Sequence, residues 1–245
     1  MRFLQAENGR TRMKTGVVIW ACLWVALFVL IIHPVSSTVT RLALVLVTAA
    51  IICGIFLFLR RSIVARIALL LIVLLASALV FLPGRDYDRA GLRSAYVYAL
   101  KSYEGTRYVW GGENGRGIDC SGLVRRAWVD ANVREGLATV NPRLVREGLR
   151  VWWSDCGARD LGAGYQGKTR VVGSGECINS LDSSFLLPGD LAVTADGVHV
   201  LAYIGDGVWT EANPEQKRVI SESYPQLENY WFTIPVKIVR WSEFE

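Results

Sequence analysis

The first 83 residues most restrict what this chain can become. Residues 17–32 form an unbroken apolar run, and residues 42–59 form a second, interrupted only by Thr48 and Gly54. A third occupies residues 67–82 and reaches back to Ile63 if Arg66 snorkels. None carries a polar stripe, so none can bury one side and wet the other as a helix of a water-soluble domain does. Each is near the short end of a membrane-crossing helix. The pattern predicts three transmembrane α-helices, at about residues 17–33, 42–59 and 63–82, and makes residues 1–83 an anchor in the lipid bilayer.

Charge divides the chain at the same place. The formal net charge is +5, but residues 1–83 hold eight Lys/Arg against one Asp/Glu, and residues 84–245 hold nineteen against twenty-one. The second part has no basic stripe with interleaved aromatics, so no nucleic-acid partner is expected. Arg2, Arg10, Arg12 and Lys14 precede the first run, and Arg60, Arg61 and Arg66 separate the second from the third. Arg41, Arg85, Arg89, Arg93 and Lys101 fall on the other side. Short basic flanks stay in the cytoplasm, which puts residues 84–245 outside. A cleaved signal peptide, with Ser36-Ser37 near its end, is the rival reading of the first run. It leaves the location of the C-terminal part unchanged.

Pro83-Gly84 ends the apolar block, and residues 84–245 read as one domain. A helix over residues 88–104 presents Leu92, Ala95, Tyr96, Ala99, Leu100 and Tyr103 on one face. A glycine-rich turn follows, and Asp119 then stands where a helix N-cap belongs. Leu123, Val124, Ala127, Trp128 and Ala131 mark the apolar face of that helix. Cys120 therefore falls at the positive end of a helix dipole, where a thiolate is favoured, and reads as a nucleophile. A helix over about residues 142–152 has proline in its first turn. Residues 154–180, rich in glycine and polar side chains, read as an irregular insertion. Strands are expected at residues 191–194, 198–204, 208–212, 218–221 and 234–241, with turns at Asp196-Gly197 and Gly205-Asp206-Gly207. The fold class is α+β, an antiparallel sheet packed on the Cys120 helix.

A cysteine nucleophile needs a base. His33 lies at a membrane edge beside Pro34, which leaves His199 as the one histidine of the C-terminal domain. The base needs an orienting partner. The next strand offers Trp209, Glu211 and Asn213 on one face, with Glu211 the first choice and Asn213 the second. Cys156 also follows an aspartate, but the residues after it lack helical apolar spacing. A disulfide between Cys156 and Cys177 is expected for an oxidising compartment. Cys22 and Cys53 read as lipid-facing or packing residues. Trp110 and the pair Trp152-Trp153 are candidates for stacking against a sugar, although large aromatics usually serve the core. No metal or cofactor is expected.

Tyr108-Val109-Trp110-Gly111-Gly112, Asp119-Cys120-Ser121-Gly122-Leu123-Val124, Pro188-Gly189-Asp190-Leu191 and His199-Val200…Tyr203-Ile204-Gly205 resemble the NlpC/p60 cell-wall cysteine peptidases, a papain-like family. The resemblance covers most of residues 94–212. It implies hydrolysis of amide bonds in peptidoglycan stem peptides, commonly between D-glutamate and a diamino acid. It implies Cys120 as nucleophile and His199 as base, with Tyr108, Asp119 and Ser121 binding the substrate's amine end. The family's third catalytic position, often histidine, asparagine or glutamine, falls on Glu211 here. The apolar runs and the charge bias predict a multi-pass protein of the bacterial cell (inner) membrane with its catalytic domain on the periplasmic or extracellular side, which is where the substrate implied by the resemblance lies. An amidase or acyltransferase of the circularly permuted relatives would place its histidine before its cysteine, the reverse of this chain. A wall-binding pseudoenzyme would lack Cys120 or His199.

Overall fold

The computed structural model describes the backbone of residues 2–244 and the side chains of residues 16–244. The chain divides into two compact units, one of Met1–His33 and Ser37–Ser77, the other of Pro34–Ser36 and Ala78–Glu245.

The first unit is helical: α1 (Arg2–Ile32), α2 (Thr38–Phe58) and most of α3 (Ile63–Phe81). Ser37 starts α2 through a reciprocal cap. Its Oγ accepts from the Thr40 amide at 3.3 Å, and Thr40 Oγ1 accepts from the Ser37 amide at 2.7 Å. Among the described residues, two helical segments, Thr38–Arg61 and Ile63–Phe81, are long and apolar enough to cross a membrane. The expected third is not. The apolar part of α1 is Gly16–Ile32, 17 residues, and at the α-helical rise this spans about 25 Å against a hydrocarbon core of about 30 Å. Three predicted spans thus become two candidates. Arg2, Arg10, Arg12 and Lys14 lie outside the residues whose side chains are described.

The second unit begins with α4 (Arg89–Ser102), capped by Asp88 and burying Leu92, Tyr96, Ala99 and Leu100. A short antiparallel ribbon, β1 (Glu113–Asn114) and β2 (Gly117–Ile118), leads into α5 (Cys120–Ala138). All five apolar-face residues expected of α5 are buried. Asn141 then caps α6 (Pro142–Trp153), whose first residue is proline.

The insertion is more ordered than its composition predicts. It contains α7 (Ala158–Gly162) and a seven-residue strand, β3 (Thr169–Gly175). Then follow β4 (Leu191–Thr194), β5 (Val200–Gly205), β6 (Val208–Asn213), β7 (Arg218–Ser223) and β8 (Val236–Trp241). The six strands form one antiparallel sheet in the order β3-β8-β4-β5-β6-β7. β3 was hidden because its partner is the last strand, Thr169 facing Trp241 and Gly175 facing Val236. No local turn announces that pairing. The domain is α+β, as expected.

Two apolar clusters pack the sheet. Leu123, Val124, Ala127 and Trp128 of α5 meet Leu191, Val193, Val200, Ala202 and Trp241, and Trp128 stacks on Trp241 with ring centroids 4.3 Å apart. The other cluster holds Leu201, Tyr203, Trp209, Phe232 and Ile238. The expected Cys156–Cys177 disulfide is absent, and both thiols are free. Cys156 is buried in the first cluster beside Arg125 and Tyr165, whereas Cys177 meets Ser180 at 3.2 Å outside it.

Candidate active site

Asp119 builds the start of α5 from both of its oxygens. Oδ1 accepts from the Gly122 amide at 2.6 Å and from Ser121 Oγ at 3.0 Å. Oδ2 accepts from the Gly111 amide at 2.7 Å. One carboxylate thus fixes the helix end and ties the glycine-rich turn to it. The turn needs its glycines. Gly111 has a φ of +71°, in the left-handed region. At Gly122, a Cβ would lie 2.1 Å from the Gly112 carbonyl oxygen. Cys120, first residue of α5 and 7 % exposed, sits in this junction with its amide at the helix start.

The β4–β5 hairpin delivers His199, which lies just before β5 rather than inside a strand as expected. Thr194 fixes it: Thr194 Oγ1 accepts from the His199 amide at 3.0 Å, and the Thr194 amide donates to the His199 carbonyl at 3.0 Å. The ring is buried. Its Nε2 meets Glu211 Oε2, which leaves Nδ1 for Cys120, a neighbour close enough to raise the ring's pKa. Burial opposes a charge on this imidazole, but the hydrogen bonds to Cys120 and Glu211 outweigh it and hold the pKa up at about 9. The two neighbours thus favour the charged form of the ring.

Glu211, 1 % exposed on β6, is held from its far side. Its Oε1 accepts from Asn213 Nδ2 at 3.1 Å and from Asn229 Nδ2 at 2.5 Å. Asn213, the second choice for orienting His199, instead braces Glu211. Asn229 Oδ1 accepts from the Trp231 amide at 3.0 Å, and the Trp231 ring stacks on His199 at 4.1 Å and 20°. Sequence reasoning missed Asn229 and Trp231. They sit in a polar loop after β7, and only an Asn-x-Trp spacing, the asparagine capping a turn that holds the tryptophan, gives any signal.

Tyr108 stands at the same junction. Burial first, then the neighbouring Cys120 and Asp119, push its hydroxyl up to about 12, so it remains a hydrogen-bond donor. Ser121 is half-buried beside Asp119, and Trp110 projects from the turn, 78 % exposed. Trp152 and Trp153 lie instead at the end of α6, around a cavity with Val80, Arg146 and Leu149. Cys156 offers no second nucleophile: burial pushes its thiol up to about 12. Among the described residues, no group of three or more His, Cys, Asp or Glu could hold a metal ion.

Known proteins match the same region. The NlpC/P60 family matches residues 105–240. A probable endopeptidase of Corynebacterium glutamicum (strain ATCC 13032) is 33% identical over 98 residues, 39% of this chain and 46% of that protein. A probable endopeptidase of C. glutamicum strain R is 33% identical over 114 residues, 44% of this chain and 53% of that one. The chain thus spans about half the length of these curated relatives. Among solved structures, NlpC1 from Trichomonas vaginalis aligns with a TM-score of 0.42 and 19% identity, over 64% of this chain and 46% of that one. The peptidoglycan hydrolase RipB from Mycobacterium tuberculosis aligns with a TM-score of 0.38 and 20% identity, over 66% and 70%. Since the family match extends over more than half of the sequence and contains Cys120, His199 and Glu211, the chain belongs to the NlpC/P60 family.

Proposed function

We propose that this chain is a membrane-anchored cysteine peptidase that hydrolyses amide bonds in peptidoglycan stem peptides, at a D-glutamyl–diamino acid linkage. The observation that carries the reading is the buried line Cys120–His199–Glu211, with Glu211 held in turn by two asparagines. Residues 84–245 are the proposed peptidase domain and residues 1–83 the anchor. The two candidate spans support the anchor, because apolar helices this exposed need lipid around them. Arg60, Arg61 and Arg66 lie around the connection between those spans and favour the cytoplasm. The peptidase then faces the wall, on the periplasmic or extracellular side.

The chemistry follows from the placement of the pair. His199, whose charged form Cys120 and Glu211 favour, accepts the Cys120 thiol proton at the start of α5. The sulfur attacks the amide carbonyl, and the Cys120 amide with the Tyr108 hydroxyl stabilises the oxyanion. His199 gives its proton to the leaving amine, and water then hydrolyses the thioester with His199 as base. Glu211 keeps the ring oriented and stabilises its charge without taking the proton. Asp119 Oδ2 and Ser121 Oγ face the substrate's amine end in this reading, and Trp110 forms an exposed wall of the groove.

The test uses the full chain in detergent with defined muropeptides. The wild type should release new amines and Cys120→Ala should not, with the cleaved bond read from product masses. Equal release by both proteins would refute the assignment.

A further inference from the structure

Pro34–Ser36 is the whole link between the end of α1 at Ile32–His33 and the Ser37 cap of α2, yet it packs with the C-terminal unit. The Ser36 amide donates to the Gly111 carbonyl at 3.0 Å, and the Glu113 amide donates to the Pro34 carbonyl at 2.9 Å. Val35 forms an antiparallel bridge with Gly112. The three residues thus run as an added edge strand along the turn that leads into β1. Side chains reinforce the backbone. Cβ atoms added at Gly111 and Gly117 would lie 3.4 Å from Val35 Cγ1 and 3.0 Å from Pro34 Cβ.

The turn gripped here is the one that positions the nucleophile. Gly111, whose carbonyl takes the Ser36 hydrogen bond, gives its amide to Asp119 Oδ2. Gly112, which pairs with Val35, accepts from the Asp119 amide at 3.1 Å. Asp119 caps α5 one residue before Cys120. The turn is therefore clamped on one side by the link and on the other by the helix cap. Held on one side only, a glycine-rich turn keeps much of its backbone freedom.

We propose that Pro34–Ser36 is a positioning segment of the catalytic site, an interhelical strap that sets the Gly111-Gly112 turn and through it the Asp119 cap and Cys120. The proposal rests on Cys120 being the nucleophile. It makes the three-residue connection Pro34–Ser36 part of the enzyme.

The full chain in detergent tests this with Val35→Gly, which removes the packing on Gly111, and Ser36→Pro, which removes the donated hydrogen bond. Val35→Ile is the conservative rescue. Val39→Ala, at a 76 % exposed position on α2, is the control. Three quantities are read: kcat and KM on muropeptide, the rate of Cys120 alkylation by iodoacetamide across pH, and the melting temperature. Val35→Gly and Ser36→Pro should lower kcat and the alkylation rate about tenfold, a loss of roughly 1.4 kcal/mol in positioning. Their KM and melting temperature should stay near wild type, and Val35→Ile should restore both rates. Unchanged kcat and alkylation would overturn the strap, as would a fall in kcat matched by a fall in melting temperature. Failure of the underlying reading is separate: there, Cys120→Ala itself would remain active.

Discussion

Replacing Glu211 by glutamine is the sharpest test of the site, because the environment accepts only a carboxylate. Oε2 faces His199 Nε2, which carries a proton. Oε1 faces the amide groups of Asn213 at 3.1 Å and Asn229 at 2.5 Å. Both sides donate, so both oxygens must accept. Glutamine offers one oxygen and one NH2, and either orientation sets a donor against donors in a position 1 % exposed. A stranded buried donor costs about 1–3 kcal/mol, and losing the charge beside the imidazolium adds about 1 more. A total of roughly 2–4 kcal/mol corresponds to a fall of about 30- to 900-fold in kcat/KM. The pH profile is the second readout. The wild-type alkaline limb should lie near the His199 pKa of about 9. In Glu211→Gln it should move acidward by about one unit or more, since the hydrogen bond and charge that raise that pKa are gone. The assay is amine release from a defined muropeptide between pH 5 and 10. Glu211→Gln activity within about threefold of wild type, with the alkaline limb unmoved, would refute the reasoning.

Two further outcomes follow from the same residues. His199 has a folded pKa near 9 against an ordinary 6.5, so the stability it contributes is fully present below pH 6.5 and is lost as pH rises through 9. The melting temperature of the wild type should therefore fall over that window, by at most about 3 kcal/mol of stability, and His199→Gln should flatten the decline. Trp231→Ala removes the ring stacked on His199 at 4.1 Å. It should lower kcat about two- to tenfold, the worth of an aromatic pair, while Trp231→Phe retains most of the rate.

The sequence announced those parts of the site that are built locally. Asp119, Cys120 and the apolar face of α5 follow from capping and periodicity within a dozen residues, and the β4–β5 and β5–β6 turns follow from their glycines. Contacts made across the chain were silent. β3 pairs with a strand more than sixty residues away, so it read as loop. Asn229 and Trp231 reach Glu211 and His199 only after the sheet has assembled. The first run, already at the short end of a span, is not among the two candidate spans: its apolar helix among the described residues is Gly16–Ile32. The disulfide failed for a related reason: two cysteines in one insertion said nothing about which would enter the core.

Asp119 gives the proposed site a property that no single role conveys. Its Oδ1 is taken up by the Gly122 amide and Ser121 Oγ, while Oδ2 receives only the Gly111 amide among the described hydrogen bonds and belongs to a half-buried residue. If the substrate's amine end docks on that oxygen, as proposed, its charge is neutralised one residue from the sulfur. In the proposed reading one carboxylate therefore joins the helix end, the glycine turn and the substrate, and recognition is felt one residue from the sulfur.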